Sequence, residues 1–207
     1  MSIYATMANS VLQQLKKRNM EGYYCETRQE AADLACSLVP PGASVSWGGS
    51  ATLGQLGILD RLQASGCKMI DYPAKEKEQI GSPIFQEVAG ADVFLMGANA
   101  LTLQGELVNI DGVSNRLSSL LHGPKQVIVL VGINKLVKTV EDGIHRIQTS
   151  VAPVLAERTG RKTPCALTGI CRQCNSPQCM CCNLVITRHS RYPGRIRVIL
   201  IGEALGV

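Results

Sequence analysis

Six of the chain's nine cysteines, Cys165, Cys171, Cys174, Cys179, Cys181 and Cys182, fall within eighteen of its 207 residues. From Cys165 the spacing runs C-x5-C-x2-C, and three more thiols come within the next eight residues. An exposed thiol oxidises unless something binds it. Pro164, Gly169 and Pro177 supply the turns that fold such a segment back on itself. Four thiolates meeting at one centre suit a zinc ion or an iron–sulfur cluster. One clean C-x2-C pair, Cys171 with Cys174, serves either. Disulfides, the competing use, belong to small secreted chains without a sizeable core. This chain is 45% hydrophobic, and Met1 to Arg18 reads as an amphipathic helix with Ile3, Met7, Val11 and Leu15 on one face rather than as a signal peptide. The expectation is therefore a cytoplasmic protein whose clustered thiols are ligands or redox groups. Cys25, Cys36 and Cys67 stand alone in apolar elements and read as core thiols.

Charge tracks the cysteines. Arg158 to Arg197 hold eight basic residues and no acidic one, whereas residues 1–157 hold thirteen basic and fifteen acidic ones. The net +5 therefore comes from the cysteine segment and the residues C-terminal to it. Cations favour thiolates and offset the negative charge of a four-thiolate site. A nucleic-acid surface fits poorly, because aromatic residues make up only 4% of the chain and Tyr192 is the only one in the segment.

Positioning these groups falls to an α/β domain. Ser44–Trp47, Lys68–Asp71, Asp92–Met96, Leu107–Ile110, Gln126–Gly132 and Ile196–Ile201 read as strands, several of them near-continuous apolar runs. Helical patterns cover Arg28–Leu38, Thr52–Gln63, Lys75–Ala89, Ser114–Leu121 and Thr139–Arg158. Alternation of this kind predicts a mostly parallel sheet with helices on both faces, in one domain over residues 1–207. Residues 160–195 form its small cysteine-rich lobe. No run of about twenty apolar residues predicts a membrane span.

Ligands of such sheets bind beyond the carboxyl ends of the strands, and three loops there are suggestive. Gly48, Gly49 and Ser50 come directly after a strand and open a helix, which allows close ligand approach and offers free N–H groups. Gly97, Ala98 and Asn99 leave the next strand. Asn109, Asp111, Gly112, Asn115 and Arg116 surround a turn and a helix start. A cation at a helix start opposes the macrodipole. An anionic ligand, or an acidic partner such as Glu106 or Asp111, explains Arg116 better. No Walker lysine loop, G-x-G-x-x-G fingerprint or Ser-His-Asp spacing is present, so nicotinamide or flavin chemistry has no support.

The same residues carry a resemblance. Residues 15–24 (LKKRNMEGYY), Ser44–Ser50, Gly97–Ala100, Gly105–Gly112 with Asn115 and Arg116, Gly123–Lys125 and Val131–Lys135 are similar to the LUD-domain family, named for lactate utilisation. The resemblance implies a fold like that of sugar-phosphate isomerases and CoA-transferases. It also implies a place near lactate oxidation, alongside iron–sulfur protein partners. This chain resembles the short type whose tail reads C-x5-C-x2-C-x6-C, which falls on Cys165, Cys171, Cys174 and Cys181. Cys179 and Cys182 are then alternates. In a transferase-like fold, Glu106 is a candidate catalytic carboxylate.

Three functions stand as expectations. The first is a redox-associated component that binds a small anion and carries an iron–sulfur cluster. The second is a non-redox binding or transferase-like protein with structural zinc, and the third is a redox sensor. Each leaves room for a homo-oligomer, and none calls for nucleic acid or membrane.

Overall fold

The computed structural model describes residues 3–72 and 81–207, and the part of the expected Lys75–Ala89 helix over residues 75–80 lies outside the described residues. Its strands are β1 (Glu21–Cys25), β2 (Ser44–Trp47), β3 (Lys68–Ile70), β4 (Val93–Gly97), β5 (Ala100–Thr102), β6 (Leu107–Asp111), β7 (Gln126–Gly132), β8 (Leu136–Val137), β9 (Asn183–Thr187) and β10 (Ile196–Ile201). Six of them form a sheet in the order β1-β10-β7-β4-β2-β3, every neighbouring pair parallel. The other four form a smaller sheet in the order β8-β5-β6-β9.

The main sheet is buried on both faces, as its apolar runs require. Side chains alternate along a strand. In β7, Val127, Val129 and Val131 therefore enter one core with Val11 and Leu15 of α1 (Ile3–Lys17), while Ile128 and Leu130 enter the other. The first core also takes Ile84 and Val88 of α5 (Pro83–Ala89) and Leu117 and Leu120 of α6 (Asn115–Leu121). The second takes the apolar faces of α2 (Arg28–Ser37), α3 (Ala51–Leu56) and α4 (Ile58–Ala64). Together these make an α/β fold with helices on both sides of a parallel sheet. No helix among the described residues is long and apolar enough to cross a membrane.

Four details depart from the sequence reading. The Thr52–Gln63 pattern is two helices, because Gly57 adopts a left-handed conformation (φ 60°) that ends α3 and starts α4. The Thr139–Arg158 pattern divides into α7 (Val140–Arg146), a π-helical turn (Ile147–Val151) and α8 (Ala152–Arg158), and Pro153 has no N–H to donate back into that turn. Strand β6 belongs to the smaller sheet, because a tight turn with Gly105 at φ 82° returns it antiparallel to β5. A connection that short cannot make a parallel crossover. Strand β9, which the sequence reading missed, pairs with β6 and stitches the end of the cysteine segment into this sheet.

Arg195 ties the sheet to α6. Its guanidinium donates to the carbonyls of Leu120 (2.6 Å), Ser119 (2.9 Å) and Pro124 (3.1 Å). Arg195→Ala leaves those acceptors unpaired and is expected to lower the unfolding free energy by about 1.5–3 kcal/mol. Urea denaturation measures this, and an unchanged midpoint would contradict it.

Candidate functional site

Parallel strands deliver all their carboxyl ends to one edge. The chain leaves β2 at Gly48, β4 at Gly97 and β7 through the short 3-10 turn Ile133–Lys135. Beyond that edge lies a cavity of about 620 Å³, within the range of small-molecule sites. Gly48, Gly49, Ser50, Gly97, Ala98, Asn99, Asp111, Gly112, Asn115 and Arg116 all line it. Ile147, Val151 and Leu155 from the π turn and α8 add an apolar wall, and Tyr72 and Lys135 complete the inner side.

The glycines serve different ends. A Cβ on Gly48 would lie 2.9 Å from Arg116 Cγ, and one on Gly97 would lie 2.9 Å from Ser50 Oγ. Both are required by packing inside the protein. Gly49 has nothing within 4 Å of its Cβ position, so it alone of the three leaves the backbone open. Ser50 caps α3 by accepting from Leu53 N at 3.5 Å. Asn115 donates through Nδ2 to Tyr72 Oη.

Arg116 is a strut. Its Nε donates to Asp111 Oδ2 (3.4 Å). One terminal nitrogen donates to Gly97 O (3.0 Å) and Asn109 Oδ1 (3.1 Å). The other donates to Asn99 Oδ1 (3.3 Å) and Ile110 O (3.1 Å). A guanidinium has five N–H donors, and all five meet protein acceptors. Burial opposes its charge and Asp111 favours it. Arg116 thus adds positive potential to the cavity wall, while its fork joins the exits of β4 and β6. The acidic partner foreseen for it is Asp111.

Two expected site residues stand elsewhere. Asn109 is fully buried behind the wall, where its Oδ1 also accepts from Asn99 N (3.2 Å). It positions Arg116 and Asn99 and does not line the cavity. Glu106 does not line the cavity either. It sits in the β5–β6 turn, pairs with Arg18 at 2.5 Å and accepts from Thr102 Oγ1. With both partners in place its carboxylate fixes α1 to the turn, away from the cavity where a catalytic carboxylate was expected.

A second cavity, of about 340 Å³, adjoins the first. Cys165, Cys171, Cys174, Cys179 and Cys181 all line it, and the two cavities share Ile110, Ala152 and the Cys179-Met180-Cys181 segment as a common wall. Cys182 lines only the larger one. Short α9 (Pro164–Thr168), capped by Thr163, buries Cys165. Gln173 at φ 48° closes the C-x2-C turn. Its N–H donates to Cys171 Sγ and that of Cys181 donates to Cys179 Sγ, each at 3.4 Å. Such N–H···S bonds favour thiolates. Against them, burial first and the neighbouring thiols second push the Cys181 thiol up to about 12. Crowded sulfurs like these ionise together only around a positive centre. No group of three or more His, Cys, Asp or Glu side chains among the described residues is arranged to hold a metal ion.

Residues 8–201 match the family model of the LUD domain. The chain belongs to the LUD-domain family. A DUF162 family protein from Deinococcus radiodurans is similar in structure, with a TM-score of 0.54 at 12% identity, covering 97% of this chain and 99% of that one. At that identity the likeness shows a shared fold. Ribose 5-phosphate isomerase A from Neisseria gonorrhoeae overlaps over 55% of this chain and 54% of its own, with 19% identity and a TM-score of 0.37. No curated protein matches.

In this LUD domain the sequence reading missed Lys135, Tyr72 and the α8 wall. Lys135 belonged to a quoted motif, Val131–Lys135, but its chemistry is visible only once the turn after β7 buries it. The apolar wall carried no signal of its own, because Ile147, Val151 and Leu155 look like any helix face turned to a core.

Proposed function

We propose that this LUD-domain protein is a component of lactate-type organic-acid oxidation, which binds a small anion in the large cavity and carries an iron–sulfur cluster in the adjoining cysteine lobe. The observation that carries this reading is the shared wall. The Cys179-Met180-Cys181 segment borders both cavities, so a bound molecule would sit one layer of protein from the sulfurs. Cys165, Cys171 and Cys174, with Cys179 or Cys181, would be the ligands. When bound, the cluster would supply one-electron transfer. Around the anion, Arg116 and Lys135 contribute positive charge, and the α8 wall limits water. Among the described residues the only acidic side chain lining the cavity, Asp111, is paired to Arg116. Five cysteines line the 340 Å³ space, and four cysteine thiolates suffice to hold an iron–sulfur cluster. Iron–sulfur protein partners would then receive the electrons.

Anaerobic purification with iron, sulfide and zinc analysis tests this. The expected protein is brown, with about two or four irons and an equal number of sulfides per chain, since four cysteines hold either a two-iron or a four-iron cluster. Cys171→Ser should lose the iron, and Cys182→Ser, outside the smaller cavity, should keep it. A colourless protein holding one zinc would overturn the redox reading in favour of the structural one.

A further inference from the structure

We propose that Lys135 is the cation that anchors the oxyanion of the ligand, a carboxylate or a phosphate, in the large cavity. This deepens the proposed function and rests on its reading of that cavity as an anion site. Lys135 is 4% exposed, yet it lines the cavity. Its ammonium carries three donors. One goes to Thr52 Oγ1 at 3.0 Å, itself fully buried on α3. The chain closes over the amine on the protein side. A Cβ on Gly206 would lie 2.8 Å from Nζ and 2.5 Å from Thr52 Oγ1, and Leu205 N is pinned to Asn134 Oδ1 at 3.1 Å. The cavity is the side left for the remaining donors.

Among the described residues the charged groups facing the amine are cations, Arg116 from α6 and Arg146 from α7. Arg146 is held by Asn99 O (2.7 Å) and Asn134 O (3.2 Å), and Asp111 is taken up by Arg116. Val207 lines the same cavity. A lysine buried for structure alone is normally paired with a carboxylate. No such ion pair is found for Lys135 among the described residues, and two guanidiniums flank it. A buried ammonium in that setting is stabilised by an incoming oxyanion. Arg116 cannot take the role, because its five donors are engaged. Burial, with Arg146 and Arg116 behind it, lowers the amine to about 8, so the group can load and lose its proton close to neutral pH.

Titration calorimetry with pyruvate and with inorganic phosphate, on wild type and Lys135→Met, tests the assignment. The arm that binds identifies which oxyanion the site takes. The variant should bind that probe about 10–100-fold more weakly, the range for a lost hydrogen bond to a charged group. Wild-type pyruvate affinity should weaken by up to about tenfold per pH unit above the amine's pKa, as expected when one proton must be bound with the anion. The wild-type profile needs no substitution, and a level profile between pH 7 and 9.5 with pyruvate bound would overturn the assignment. Variant binding within about twofold of wild type would remove Lys135 as the anchor while leaving the cavity an anion site. Failure of wild type to bind either probe would overturn both readings.

Discussion

Arg116→Met is expected to lower the unfolding free energy by about 3–5 kcal/mol, the usual range when one partner of a buried ion pair is removed. Methionine keeps a stem against Gly48, so the loss reports the guanidinium. It strands Asp111, whose side chain is only 12% exposed, together with the carbonyls of Gly97 and Ile110 and the amide oxygens of Asn99 and Asn109. The sequence leaves an anionic ligand and an acidic partner both open as reasons for Arg116. Geometry favours the partner, since every N–H of the fork meets the protein. Urea unfolding of Arg116→Met and of Arg116→Met/Asp111→Asn decides it. The double variant should recover part of the loss by removing the stranded charge. A single-variant cost below about 1 kcal/mol would return Arg116 to the ligand.

Lys135→Met is expected to act in the opposite direction. Holding a lysine at about 8 instead of its ordinary 10.5 corresponds to roughly 3 kcal/mol in favour of the neutral form. At neutral pH the amine is protonated in both folded and unfolded chains, so the fold carries that penalty in full. Methionine removes it at similar volume and loses one hydrogen bond to Thr52, which offsets about 1 kcal/mol. The net gain at pH 7 should be roughly 1–3 kcal/mol. The pH dependence has a definite sign. Between about 8 and 10.5 the unfolded chain binds more protons at this site, so wild-type stability gains on the variant as pH rises through that window. Paired urea melts at pH 7 and pH 9.5 measure the narrowing gap. A variant less stable than wild type at pH 7 would contradict it. Stability surrendered for a binding group is the common trade at functional sites.

Much of the fold was legible because its cause is local. Gln126–Gly132 could only be a central strand, since an apolar run that dense needs cover on both faces. Thr27 caps α2 by accepting from Glu30 N, a local contact between neighbours in sequence, and the Glu30 carboxylate accepts from Glu26 N at 2.9 Å. The loops at the ends of β2 and β4 were legible for the same reason, as small residues at a strand exit. What stayed hidden were short elements fixed by distant partners. Strand β1 is a half-exposed edge strand with a weak pattern of its own, and β9 exists because β6 lies beside it.

By itself the sequence determined the parallel sheet and most of the cavity's lining, and its resemblance to the LUD domain named the family. The sheet and the strand-exit loops come from periodicity and motif spacing, which are properties of neighbours along the chain. Only the tertiary structure decided the roles. It engaged all five donors of Arg116, removed Glu106 to the far side of a turn, buried Asn109 behind the wall and set Lys135 among cations. Each role depends on which acceptors and charges surround a group in three dimensions, and those come from residues up to 88 positions away, as Arg18 is from Glu106.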